Sequence, residues 1–293
     1  VGANELIGLN YVGSGNTRLP VGGFYNVAVG AAAGNAAARR PFPYITPTNF
    51  DRSWGRSNYH SLQAQWRRRF STGLSYLVNY TWSKSITLGC DGFFGVEGCS
   101  VQDPYHFNNE RSVSSTDLPH ILNASVTYDL PVGKTGPAAM RAIAGGWQIN
   151  TIMTLHSGQP FTVNMNGDIA NTGNQNGYMR PNVVGSPRLD SPTTGRWFNT
   201  AAFAAPAAFT FGNAGRNILR GDGNVNFDLS LFRSFRLGLR ESTRLQIRLE
   251  AFNALNHVRY ANPVANLTQP NFGQVLGTAS RERQLQLGGK IEF

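Results

Sequence analysis

The sequence predicts an all-β protein, an antiparallel up-and-down transmembrane β-barrel with about eight strands present. Three observations predict it. Apolar and polar residues alternate with a period of two in segment after segment, the signature of a strand with one apolar and one polar face. No run of 18 or more apolar residues occurs and mean hydropathy is -0.27, so a helical span is excluded while a spanning strand of about 9–11 residues is not. The connections between the strands alternate between long and short.

The elements follow in order. NELIGLNYV near the start is the weakest candidate strand. In SLQAQWRRRF, Leu62, Ala64, Trp66 and Phe70 share one face and Gln63, Gln65, Arg67 and Arg69 the other. Ser71-Thr72-Gly73 is a hairpin connection with a glycine free to take positive φ. LSYLVNYTWS, LNASVTYDL, WQINTIMTLH, FDLSLFRSFRL and TRLQIRLEAFN repeat the two-faced pattern. RERQLQLGGKIEF sets Leu285, Leu287, Ile291 and Phe293 against Gln284, Gln286, Lys290 and Glu292.

Long connections at 13–56, 87–118, 157–224 and 257–280 alternate with short ones at 71–73, 131–145 and 238–242. Outer-membrane barrels have long extracellular loops and short periplasmic turns, whereas a Greek-key sandwich predicts no such alternation. This parity puts the C-terminus on the periplasmic side and the last strand in position to close the sheet. Phe70, Tyr76, Tyr128, Trp147, Phe235 and Phe293 then form a periplasmic belt, with Tyr80, Trp82 and Phe227 toward the other edge. Arg68 and Arg233, the arginines on the apolar face, lie beside the periplasmic belt, where a charge costs about 0–1 kcal/mol. Snorkelling accounts for both. Facing the lumen, Arg67, Arg69, Arg244, Arg248 and Glu250 are expected to pair among themselves first, because unpaired buried charge is costly, or to line a plug.

Composition narrows the function classes. Among 293 residues, 33 Gly and 15 Pro with only 14% charged residues indicate many turns. The formal net charge of +10 invites a nucleic-acid reading, but neither a basic aromatic patch nor a known module is present, so no nucleic-acid partner is expected. His60, His106, His120, His156 and His257 are dispersed without ligand spacing, and neither metal nor cofactor is expected. Ser157 beside His156 has no assignable partner, and adjacent strand residues point to opposite faces, so no enzymatic activity is expected. Cys90 and Cys99 share an extracellular loop, where a local disulfide is expected. In NMNGDIANTGNQNGYMRPN, Asn174, Asn176, Tyr178 and Arg180 are the candidate ligand contacts. An amide-rich loop with an aromatic suits sugars or peptides, and equally suits plain solvated surface.

Beyond these readings, a run of linked segments resembles the Oar-like TonB-dependent outer-membrane receptors, of the acidobacterial type with a carboxypeptidase-regulatory-like N-terminal domain. The segments include SNYHSLQAQWRRRFSTGLSYLVNYTWSKSI, VQDPYHFNNERSVSSTDLPH, GGWQINTIMTLHSGQPFTV, FGNAGRNILRGDG and LQIRLEAFNALNH, in that order. The resemblance implies a barrel of roughly 22 strands with a plugged lumen. It also implies inward movement of a ligand with energy relayed by TonB. On that basis residues 1–293 are expected to be the C-terminal part of one barrel domain, the plug and N-terminal domains lying outside this chain, which begins at Val1. Leu285, Leu287, Ile291 and Phe293 resemble the terminal signal read by the barrel assembly machinery. Expected partners are that machinery, the TonB system, outer-membrane lipid and lipopolysaccharide, and an unidentified ligand, in the outer membrane of a Gram-negative bacterium. The rival expectation is a self-contained small barrel acting as an anchor or adhesin through its loops.

Overall fold

Eight long strands lie side by side in chain order, each antiparallel to the next: β1 (Glu5–Tyr25), β2 (Thr48–Ser71), β3 (Leu74–Leu88), β4 (His120–Asp129), β5 (Gln148–His156), β6 (Asn224–Arg236), β7 (Arg244–Phe252) and β8 (Gln284–Glu292). The short strand Ser112–Val113 adds a ninth member beside β3. The computed structural model describes residues 4–89, 101–133, 137–174, 179–237 and 243–293.

Register follows the two-faced pattern. Trp66 lies opposite Val78, Val78 opposite Ala124, and Ala124 opposite Met153, so outward apolar residues form continuous rows across the sheet. On that face Trp82, Leu249, Leu285, Leu287 and Phe293 are all exposed, as a lipid-facing surface requires. Thr72 and Gly73 both hold positive φ, +52° and +81°, between the paired Ser71 and Leu74. Two such residues make the hairpin turn whose twist matches its strands, and glycine takes that conformation without strain.

Two sequence expectations need correction, and one connection holds an element that the sequence did not show. β1 and β2 reach Tyr25 and Thr48, so the predicted 13–56 loop shrinks to 26–47. At 24 residues β2 far exceeds a membrane crossing, and its outer part, free of lipid, has no need to alternate. The periplasmic connection before β5 contains a helix, α1 (Ala138–Ala144). Trp147 Nε1 and Arg233 Nη1 both donate to Ile143 O near its C-terminal end, at 3.1 and 2.7 Å, supplying partners to a carbonyl that the helix leaves free. Finally, among the described residues β8 pairs only with β7 and β1 only with β2, so the last strand is an edge and the sheet is not closed. A closed eight-strand barrel leaves room for little beyond packed side chains, whereas this wall turns several arginines inward.

The core lies in the extracellular segments. Phe161, Val163, Phe198, Ala202, Phe203 and Leu219 are buried together, with Phe272 5.1 Å from Phe198 ring to ring. Each large apolar side chain buried this way contributes about 1.5–3 kcal/mol. The long connections are therefore a packed cap at the outer ends of the strands.

Candidate functional site

Two buried charge clusters tie the cap together. Glu110 accepts hydrogen bonds from Arg180 on both oxygens, Nη1 to Oε2 at 2.7 Å and Nη2 to Oε1 at 3.1 Å. Arg216 Nε lies 3.9 Å from the same carboxylate. Gln102 braces the pair: its N–H donates to Glu110 Oε1 (3.1 Å), its Oε1 accepts from Arg180 N (2.8 Å) and its Nε2 donates to Gly212 O (3.0 Å). Burial of these charges is tolerated because each is paired and hydrogen-bonded. In the second cluster the buried Asp117 carboxylate accepts from Ser85 N (2.6 Å), Lys84 Nζ (3.4 Å) and Arg220 Nη2. Arg220 Nη1 also donates to Asp117 O at 2.7 Å and Gly158 O at 3.1 Å. Both clusters join the segment before β4 to the long segment between β5 and β6.

Two concavities involve the inward face. Near the extracellular ends of β5 to β8 a cavity of about 460 Å³ is lined by Thr154, Asn226, Asp228, Asn253, His257 and Glu282, among others. Asp228 Oδ1 accepts from Asn253 N at 2.9 Å, and Asn253 Nδ2 donates to the carbonyls of His257 and Arg281, each at 3.0 Å. This mixture of amides, two carboxylates, an imidazole and a hydroxyl suits a polar solute rich in hydrogen-bonding groups. Toward the periplasmic end, Arg67, Arg69, Ser75, Ser125 and Thr127 help line a cavity of about 320 Å³.

The singled-out residues are distributed as follows. Among the described residues, the guanidiniums of Arg67 and Arg69 have neither a hydrogen bond nor an ion pair, so the expected pairing is not seen there; the two lie on adjacent inward positions of β2 and carry like charges. Arg244 stands opposite Arg236 on one side and Glu292 on the other. Arg248 lies 3.6 Å from Glu250. Leu285, Leu287, Ile291 and Phe293 are exposed along the outward edge strand. Asn174 and Arg180 are not loop-surface contacts: both are buried in the cap, and Arg180 is committed to Glu110. Asn176, Tyr178, Cys90 and Cys99 lie outside the described residues.

Sequence reasoning passed over Glu110, Asp117, Arg216 and Arg220. A usable signal existed: the chain has only 16 acidic residues, and Glu110 and Asp117 sit within one stretch of turn-forming residues, VQDPYHFNNERSVSSTDLPH.

The family model described as outer membrane beta barrel domain matches residues 1–286. No curated protein matches the chain. Among solved structures, the outer membrane transporter YddB from Escherichia coli is similar at 9% identity with a TM-score of 0.49, the match covering 100% of this chain and 31% of the transporter. The chain thus spans about a third of that protein's length.

Proposed function

Because the chain belongs to the outer membrane beta barrel domain family, and so resides in the outer membrane, we propose that it is the barrel wall and extracellular cap of an Oar-like, TonB-dependent receptor that brings a ligand inward. The observation that carries this reading is the polar cavity at Asp228, Asn253 and His257, set in the inward wall at its extracellular end. A packed cap held by Glu110 and Arg180 gives that end a defined surface, as a receptor needs and a bare anchor does not. The unclosed sheet, with edges at β1 and β8, supports a wall wider than eight strands. The linked segments that resemble the Oar-like receptors support the TonB dependence.

In this reading the chain performs no chemistry of its own and binds no nucleic acid. Its partners are the TonB system, the barrel assembly machinery and a polar ligand. The test is uptake of a panel of fluorescent oligosaccharides and oligopeptides by cells that carry the intact protein, with and without TonB. Uptake of at least one probe is expected, abolished both by loss of TonB and by Asp228→Ala. Uptake that persists without TonB, or no uptake of any probe together with no TonB cross-link to the intact protein, overturns the proposal.

A further inference from the structure

The outward face carries a cluster of histidine, lysine and aromatic residues, of which Lys84 also reaches the cap at Asp117. The Tyr11 hydroxyl lies 2.6 Å from His60 Nδ1, with the rings stacked at 6.2 Å and 23°. The same pair recurs farther along the sheet, Tyr80 hydroxyl to His120 Nδ1 at 2.8 Å, with the rings at 6.2 Å and 17°. His60 stands directly opposite Lys84, and Trp82 stands opposite Leu62 on one side and His120 on the other. A groove of about 540 Å³ runs among them, lined by Tyr11, His60, Leu62, Trp82, Lys84 and Pro119.

Depth is fixed by strand length. The stretches His60–Phe70 in β2, Tyr76–Lys84 in β3 and His120–Tyr128 in β4 each match the roughly 9–11 residues that cross the hydrocarbon layer. Their other ends lie in the periplasmic aromatic belt. The cluster therefore lies at headgroup level in the outer leaflet.

Its chemistry points to an anion attached to an apolar body. In the tautomer whose Nδ1 accepts from the phenol, Nε2 carries the hydrogen, and each histidine then presents an N–H donor away from its tyrosine. Lys84 shares the Asp117 carboxylate with Arg220, two cations on one anion, which leaves positive charge in excess at the rim. Trp82 and Leu62 are 58% and 45% exposed between these donors, offering a flat ring and an aliphatic surface.

We propose that this groove binds a phosphorylated glycolipid of the outer leaflet, lipopolysaccharide. Its phosphate groups meet Lys84 and the N–H of His60 within the groove and the N–H of His120 at the far side of Trp82, a sugar ring lies on Trp82, and an acyl chain runs down over Leu62. Charge-assisted bonds to phosphate supply strength, and the indole face distinguishes a sugar-bearing lipid from a simple phospholipid. The inference rests on membrane placement and is independent of the transport reading.

The test reconstitutes the intact protein in nanodiscs that contain lipopolysaccharide and measures retained lipid by native mass spectrometry. H60A/H120A leaves the Lys84–Asp117 pair untouched, and Trp82→Leu leaves every charge in place. We expect the double variant to retain lipopolysaccharide about tenfold more weakly, the loss of two charge-assisted contacts, and Trp82→Leu to weaken it too. Heat-modifiable gel mobility identifies folded samples, and should the double variant fail to fold, Trp82→Leu decides alone. Unchanged retention in the folded variants overturns the proposal, as does equal competition by phosphatidylglycerol, which marks a general anionic-lipid surface.

Discussion

Arg180 grips Glu110 through two parallel hydrogen bonds, 2.7 and 3.1 Å, between residues 70 positions apart in the chain. The forked guanidinium matches the carboxylate, and both side chains are buried, 8% and 1% exposed. Removing one member strands the other's charge, which costs about 3–5 kcal/mol in a buried pair. Glu110→Ala and Arg180→Ala are each expected to loosen the cap by that order and to leave the sheet intact. Limited proteolysis should then cut within 101–117 and 179–220 much faster than in the parent. Heat-modifiable mobility, which reports on the barrel, should not change.

The same cluster makes a steric prediction at Gly212. A Cβ there would lie 1.8 Å from Arg180 O and 2.6 Å from Pro181 O, both backbone atoms that cannot swing aside. Gly212→Ala must push apart the chain that holds Arg180, at a cost of 1–3 kcal/mol or somewhat more, as is typical of about one methyl too many in a packed site. Gly277→Ala, where nothing lies within 4 Å, is the matched control and should be silent. Both can be read from the same proteolysis assay.

Tyr105 gives the cap an alkaline limit. Burial pushes its phenol above the ordinary value of 10.0, with Tyr25 and Asp103 adding in the same direction, and its hydroxyl donates to Val27 O at 2.7 Å. The folded state therefore holds the proton more tightly than the unfolded chain. Its contribution to stability is fully present below pH 10 and is lost as pH rises through the folded value. Subtilisin digestion is expected to accelerate within the cap as pH is raised above 10. Tyr105→Phe should flatten that rise, while starting from a cap weakened by about 0.5–1.5 kcal/mol through the lost hydrogen bond.

Which parts of this molecule could be read in advance depends on the solvent each part meets. β3 to β8 face lipid on one side, so Leu122, Ala124, Val126 and Tyr128 must alternate with polar residues, and period two is visible without a structure. The outer parts of β1 and β2 rise past the lipid. There Gly13, Ser14, Gly15 and Asn16 pair with His60, Tyr59, Asn58 and Ser57, and no apolar row marks them as strand. The helix near Ile143 is set between Pro137 and Gly145, whose turn character hides it. The cap resists sequence reading for a different reason. Glu110 and Arg180, or Asp117 and Arg220, meet only after the strands bring their segments together, and no local pattern encodes that meeting. Arg180 looked available for a ligand on composition alone, yet it is a buried tie within the cap.

The assignment of faces can be tested by moving a charge. Arg233 is tolerated on the outward face because it lies at the periplasmic rim, its guanidinium 4.4 Å from the Phe235 ring centroid and bonded to Ile143 O. Leu229, four residues farther along the same outward row, lies opposite Thr151 and Ala251. An arginine at Leu229 must reach past more hydrocarbon to find water, and toward the midplane such a charge costs about 2–4 kcal/mol. Its neighbour Ser230 points to the wet side, where the same arginine needs no such journey. Leu229→Arg should therefore lower the folded fraction in lipid, read as heat-modifiable mobility across a urea series, by much more than Ser230→Arg. Equal effects would mean that the two faces share one solvent, and the lipid-facing assignment of the outward row would fail.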